Sequence, residues 1–101
     1  MKKLMISLVA VVGLASMNSA IAGDAAAGKE KAVATCAGCH GADGIGVTPL
    51  FPNLKGQKEE YLKKTLKDFK AGTRKNGIMN GMAGTLSDED IDNLAAYFSG
   101  L

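Results

Sequence analysis

Histidine occurs once in this chain, at position 40, and cysteine twice, at positions 36 and 39. A structural zinc site takes four ligands, which two cysteines and one histidine cannot complete. An excess of one charge is also missing. Twelve Lys and Arg stand against ten Asp and Glu, and Lys2 and Lys3 carry the small positive surplus. Residues 23–101 are therefore balanced, which removes the electrostatic case for a nucleic-acid partner. No stretch alternates apolar and polar residues as a half-buried strand does, and no segment repeats. The expectation is an all-α chain of one domain at most.

What is present is concentrated at Cys36-Ala37-Gly38-Cys39-His40. C-x-x-C-H is the attachment signature of c-type haem. Two thiols about one helical turn apart can each add to a porphyrin vinyl group, and the adjoining imidazole can bind the iron. A Cys36–Cys39 disulfide is the simplest competitor in an exported chain. A thioredoxin-like use needs a preceding strand in a βαβ setting, whereas Ala25, Ala26, Ala27, Ala32, Val33 and Ala34 lead into the motif with helical character.

The first residues read as an address. Lys2 and Lys3, the apolar run Leu4 to Leu14, and Ala20-Ile21-Ala22 match a secretory signal peptide. Cleavage after Ala22 would leave a domain of residues 23–101. Ser16, Asn18 and Ser19 interrupt the run, so a permanent anchor is the weaker reading, and no cysteine at the cleavage point invites lipid modification. So short a domain buries only about 60% of its surface and is marginal alone; a covalently bound apolar cofactor would complete its core. Export and C-x-x-C-H together point to the bacterial periplasm.

Three helices are legible. The first spans about Asp24 to Cys36, with Asp24 as cap. Gly28 inside it costs stability unless another helix approaches closely. The second spans about Lys58 to Ala71 and ends at Gly72. Its Tyr61, Leu62, Thr65, Leu66 and Phe69 form one apolar stripe, read as core packing with the haem edge as a secondary contact. The third spans about Asp88 to Ser99, where Ser87 and Asp90 resemble a capping box and Ile91, Leu94, Ala95 and Phe98 share a face. Gly41 to Gln57 and Thr73 to Thr85 read as long irregular pieces, of the kind that wrap a flat cofactor. Lysines crowd Lys55 to Lys75 and acids crowd Asp88 to Asp92. Solvated helix faces explain this pattern; a dipolar docking surface is the sharper alternative.

If haem is bound, His40 supplies one axial ligand, and a second histidine from the same chain is excluded. Methionine is the expected partner. Outside the leader only Met79 and Met82 remain, and the residues by themselves leave the choice between them open.

With these motifs in hand, the chain resembles a class I c-type cytochrome of the small soluble bacterial mono-haem kind, and is similar to one half of the di-haem members. The resemblance covers Gly23 to Leu101. It rests on Gly28, on Cys36 to Gly41, on Phe51-Pro52-Asn53-Leu54-Lys55-Gly56-Gln57, on Tyr61-Leu62 and Met79, and on Leu86 to Ile91 with Leu94-Ala95-Ala96-Tyr97. It implies the cytochrome c fold, with three main helices and long loops around one haem c per chain. It further implies that Cys36 and Cys39 attach the haem, that His40 and Met79 ligate iron, and that the Pro52 carbonyl fixes the histidine ring. Gly28 and Tyr97 fall where the first and last helices cross in that family, and Arg74 and Asn76 are candidate partners of a haem propionate. The chain is shorter than the mitochondrial type between its two ligands, which implies a less covered propionate edge.

The function expected is single-electron transfer rather than enzymatic catalysis. The protein would be a periplasmic monomer that cycles between redox protein partners, with peripheral or no membrane contact and no nucleic acid. The alternatives are an electron-transfer subunit of a larger oxidoreductase, a peroxidase-like or gas-binding protein with an open sixth position, and a haem-free domain closed by a disulfide.

Overall fold

The computed structural model describes residues 23–101. The expected leader, with cleavage after Ala22, falls on residues 1–22 and lies outside the described residues. Five helices follow one another with no strand among the described residues: α1 Ala25–Thr35, α2 Ala37–His40, α3 Glu59–Ala71, α4 Gly77–Gly84 and α5 Asp88–Ser99. The architecture is the expected all-α one, with two helices more than the sequence pattern indicated.

The first and last helices form the frame. Asp24 caps α1 by accepting from the N–H groups of Ala26 and Ala27 at 2.9 and 3.1 Å. Gly28 lies against the backbone of α5 so closely that a Cβ there would fall 2.0 Å from the Asn93 carbonyl oxygen. This is the close approach that an interior glycine signals. Asn93 is buried beside the crossing, and its Oδ1 accepts from the Asp24 N–H at 2.8 Å. The crossing thus carries a satisfied polar contact beside its close packing. Tyr97 packs beside Gly28, and its hydroxyl donates to the Ala42 carbonyl at 2.8 Å.

Ala32, Leu62, Leu86, Ile91, Leu94, Ala95 and Phe98 make the closed core. They come from α1, α3, α5 and the turn before α5, so a small number of contacts ties the ends of the chain to its middle. Helix α3 ends where Gly72 takes φ 81°, a left-handed conformation that glycine adopts without a Cβ penalty. Residues 41–58 carry no helix, as expected.

The segment read as irregular between Thr73 and Thr85 contains α4. Three glycines in its eight residues lower its helix propensity. Asn76 overrides them: its Oδ1 accepts from the N–H groups of Ile78 and Met79 at 3.1 and 3.0 Å, which satisfies two donors at the helix start. Packing against α3 completes the stabilisation. The short α2 is the second addition; it forms because the C-x-x-C-H turn itself is helical.

Helix α5 starts with the capping box. The Ser87 hydroxyl accepts from the Asp90 N–H, and the Asp90 carboxylate accepts from the Ser87 N–H, both at 3.0 Å. The Ser87 backbone bond, opposed by partial burial and aided by Lys31 at 3.7 Å, holds the Asp90 carboxyl below the usual carboxylate range. Asp68 is lowered as well, chiefly by its bond from Lys64. A lowered folded-state value stabilises the fold above the unfolded value of about 4, and that contribution is lost as pH falls through the folded value. The urea midpoint of the holoprotein should therefore drop below about pH 4, and Asp90→Asn should flatten the acid limb. Ser87→Ala should cost about 1 kcal/mol at neutral pH.

Candidate functional site

Cys36 closes α1, its N–H bonded to the Ala32 carbonyl at 2.8 Å, and at the same time opens α2. The Cys39 and His40 N–H groups both return to the Cys36 carbonyl, at 3.2 and 2.9 Å. One tight turn therefore presents both thiols and the imidazole together. Gly41 then takes φ 81° and turns the chain away; a Cβ there would meet the Ile45 carbonyl oxygen at 2.1 Å.

His40 is buried, 7% exposed. Its Nδ1 lies 2.9 Å from the Pro52 carbonyl oxygen. A carbonyl can only accept, so Nδ1 carries the proton and Nε2 of the neutral ring keeps its lone pair. Phe51 sets an edge-to-face contact on the same ring, with centroids 6.5 Å apart. The imidazole is thereby oriented from two sides. The two cysteines are half-buried and not bonded to each other. Burial pushes the Cys36 thiol up to about 11, against a smaller opposing pull from Lys31, so this sulfur stays protonated at neutral pH in the absence of a bonded group.

Cys36, Cys39, His40, Pro52, Met79 and Met82 all line one cavity of about 610 Å³. Its size lies in the range of small-molecule and cofactor sites. Most of the remaining wall is apolar, with Leu54, Leu62, Leu66, Phe69, Leu94 and Phe98 prominent. The whole α3 stripe, Tyr61, Leu62, Thr65, Leu66 and Phe69, faces this space. Periodicity alone assigns this stripe to core packing, but only Leu62 is buried there. An apolar helix face looks the same in sequence whether it packs on protein or on a cofactor.

Met79 and Met82 project from one face of α4, three residues apart. Met79 is half-buried and Met82 is 38% exposed. Arg74 and Asn76 stand at the same cavity, the Arg74 guanidinium 4.9 Å over the Phe69 ring. Leu50 and Ile78 also line it while remaining 87% and 58% exposed, an apolar rim with no periodic signal in the sequence. Asn80, which anchors α4, carries only a faint sequence signal. An asparagine four residues after the capping Asn76 was the available signal.

Among the described residues no group of three or more His, Cys, Asp and Glu converges on a metal position. The donors present instead fit a flat, largely apolar, metal-containing group: two thiols for covalent attachment, one lone-pair imidazole, and thioethers in an apolar chamber.

Comparison with known proteins points the same way. The family model described as cytochrome c matches residues 25–101. The chain is 52% identical over 81 residues to cytochrome c-554(548) of Halomonas halodenitrificans, covering 77% of this chain and 96% of that protein. It is 50% identical over 99 residues to cytochrome c4 of Pseudomonas aeruginosa, covering 98% of this chain and 48% of that protein. Among solved structures, cytochrome c4 of Acidithiobacillus ferrooxidans superposes with a TM-score of 0.70 at 36% identity, over 79% of this chain and 51% of the other. The chain thus spans nearly all of the c-554(548) relative and about half the length of the cytochrome c4 relatives.

Proposed function

Because the chain belongs to the cytochrome c family, we propose that residues 23–101 act in the periplasm as a mono-haem carrier. Cys36 and Cys39 hold the haem by thioether bonds, and His40 and Met79 take the two axial positions. The protein is a cytochrome c electron-transfer protein rather than an enzyme, it binds covalently attached haem c, and its partners are redox proteins. When bound, haem c supplies a one-electron ferric–ferrous couple. The residues bind it, orient it and set its potential.

The observation that supports the ligand set is the His40–Pro52 bond. With Nδ1 committed at 2.9 Å, only Nε2 is free to donate electrons into the chamber that the two thiols and Met79 share. A thioether partner and the apolar wall favour the ferrous state, so the potential should be fairly high. Arg74 and Asn76 line the same cavity and would serve as partners of a propionate. The leader of residues 1–22 accounts for export to a compartment where haem is attached to reduced thiols. No helix among the described residues is long and apolar enough to cross a membrane.

The length relationship favours a second reading. In the cytochrome c4 relatives the matching region occupies about half the chain, so this domain would work against a second redox domain in a larger assembly. Size-exclusion chromatography of native periplasm separates the two readings: migration at small-monomer size excludes the assembly.

Holoprotein produced in a host that matures c-type cytochromes tests the proposal. Its intact mass should equal the polypeptide plus one haem, and acid–acetone should leave the pigment on the protein. Ferric protein should show the weak far-red methionine–iron band, and potentiometry should give one single-electron step. Pigment that extracts freely, or a ferric spectrum of an open or high-spin site, would sink it.

A further inference from the structure

Helix α4 should not persist unaided. It has eight residues, three of them glycine, whereas isolated helices need about 12–15 good helix formers. Yet it carries both methionines that face the cavity. Something must hold it in place, and Asn80 occupies the position to do so.

The Asn80 side chain uses three of its hydrogen-bonding positions on three different segments. Its amide nitrogen donates to the Phe69 carbonyl at 2.8 Å, near the end of α3. The same nitrogen donates to the Arg74 carbonyl at 2.8 Å, in the connection between α3 and α4. Its Oδ1 accepts from the Asn76 N–H at 2.8 Å, the residue that caps α4. Asn76 in turn holds the N–H of Met79 at 3.0 Å. One side chain therefore closes the exposed end of α3, fixes the connecting turn and braces the cap on which Met79 hangs. No other side chain makes hydrogen bonds to all three of these segments among the described residues.

We propose that Asn80 is the positioning residue for the axial methionine: it sets how firmly α4 presses Met79 toward the haem, and thereby how easily the sixth ligand dissociates. This rests on the assignment of methionine as axial ligand. Asn80 does not line the cavity, so its effect is transmitted through Asn76 and the α4 backbone rather than by touching the cofactor.

The test uses ferric holoprotein with haem covalently attached. Asn80→Ala removes all three bonds. Asn80→Asp keeps the oxygen for Asn76 and turns two donors into acceptors that face carbonyls. In both variants the rate of cyanide binding to ferric iron, limited by methionine release, should rise at least about tenfold, as expected for losing two or more hydrogen bonds. The far-red band should vanish on heating well below the loss of helical circular dichroism, and the midpoint potential should fall. Adding Gly81→Ala to Asn80→Ala should recover part of the cyanide resistance, because alanine restores helix propensity at a position where a Cβ meets nothing within 4 Å. If Asn80→Ala assembles poorly, Asn80→Asp carries the measurement. Wild-type protein without a far-red band would overturn the ligand assignment and this inference together. A normal band in wild type with unchanged cyanide rate and potential in the variants would overturn the inference alone.

Discussion

Met79→Ala is expected to abolish the far-red methionine–iron band of the ferric holoprotein, whereas Met82→Ala is expected to keep it. Both side chains face the cavity from one side of α4, so the shared face does not separate them. Exposure gives a first, small difference: Met79 is half-buried, whereas Met82 is 38% exposed. Cap geometry adds to this. The Met79 N–H donates to Asn76 Oδ1 at 3.0 Å, which fixes Met79 in the first turn beside the cap. If Met79 holds the iron as proposed, losing its thioether would open that position to water or an external ligand and would weaken the preference for ferrous iron. The potential should fall by on the order of 0.1 V or more, within the ~0.8 V span that axial ligation commands. Met82→Ala should instead cost about 1 kcal/mol of stability through lost apolar contact with a small change in potential. Potentiometry and the ferric spectrum of the two variants decide the matter, and a band lost in Met82→Ala but kept in Met79→Ala would reassign the ligand while leaving the family unaffected.

How much of this was legible in the sequence follows from how local each signal is. The pentad at 36–40 is contiguous, so its chemistry could be read directly. The caps at Asp24, Ser87 and Gly72 are local too, and all three stand where their residue types indicated. Gly28 carried long-range information because a glycine in a helix body is costly unless another backbone needs the space, and Asn93 takes it. Helix α4 was hidden for the converse reason. Its three glycines argue against a helix, and what overrides them, the Asn80 bonds to Phe69 and Arg74, joins residues 11 and 6 positions apart across a turn that sequence does not display. The α3 stripe is visible in the sequence, but what covers it is not. Periodicity identifies an apolar face without saying whether protein or porphyrin covers it.

The second large effect is expected at Gly28. In Gly28→Ala the new methyl would sit 2.0 Å from the Asn93 carbonyl oxygen and 3.0 Å from the Tyr97 Cβ. The first of these contacts is with helix backbone, which no rotamer change relieves, so α1 and α5 must separate. Separation pulls Asn93 Oδ1 from the Asp24 N–H and loosens Ala32 against Leu94 and Ala95 in the shared core. Overpacking ordinarily costs about 1–3 kcal/mol; with a satisfied polar contact also lost, about 3 kcal/mol or more is expected, a large fraction of the ~5–15 kcal/mol that keeps a domain folded. Leu94 and Phe98 belong both to this core and to the cavity wall, so the damage should reach the haem as a shifted potential even where the fold survives. Gly81→Ala is the matched control: its methyl meets nothing within 4 Å, and it should gain about 0.5–1 kcal/mol from helix propensity. Urea unfolding of the two holoproteins should therefore move in opposite directions. A Gly28→Ala midpoint within error of wild type would mean that the helices can part without loss, and that the frame does not depend on their close crossing.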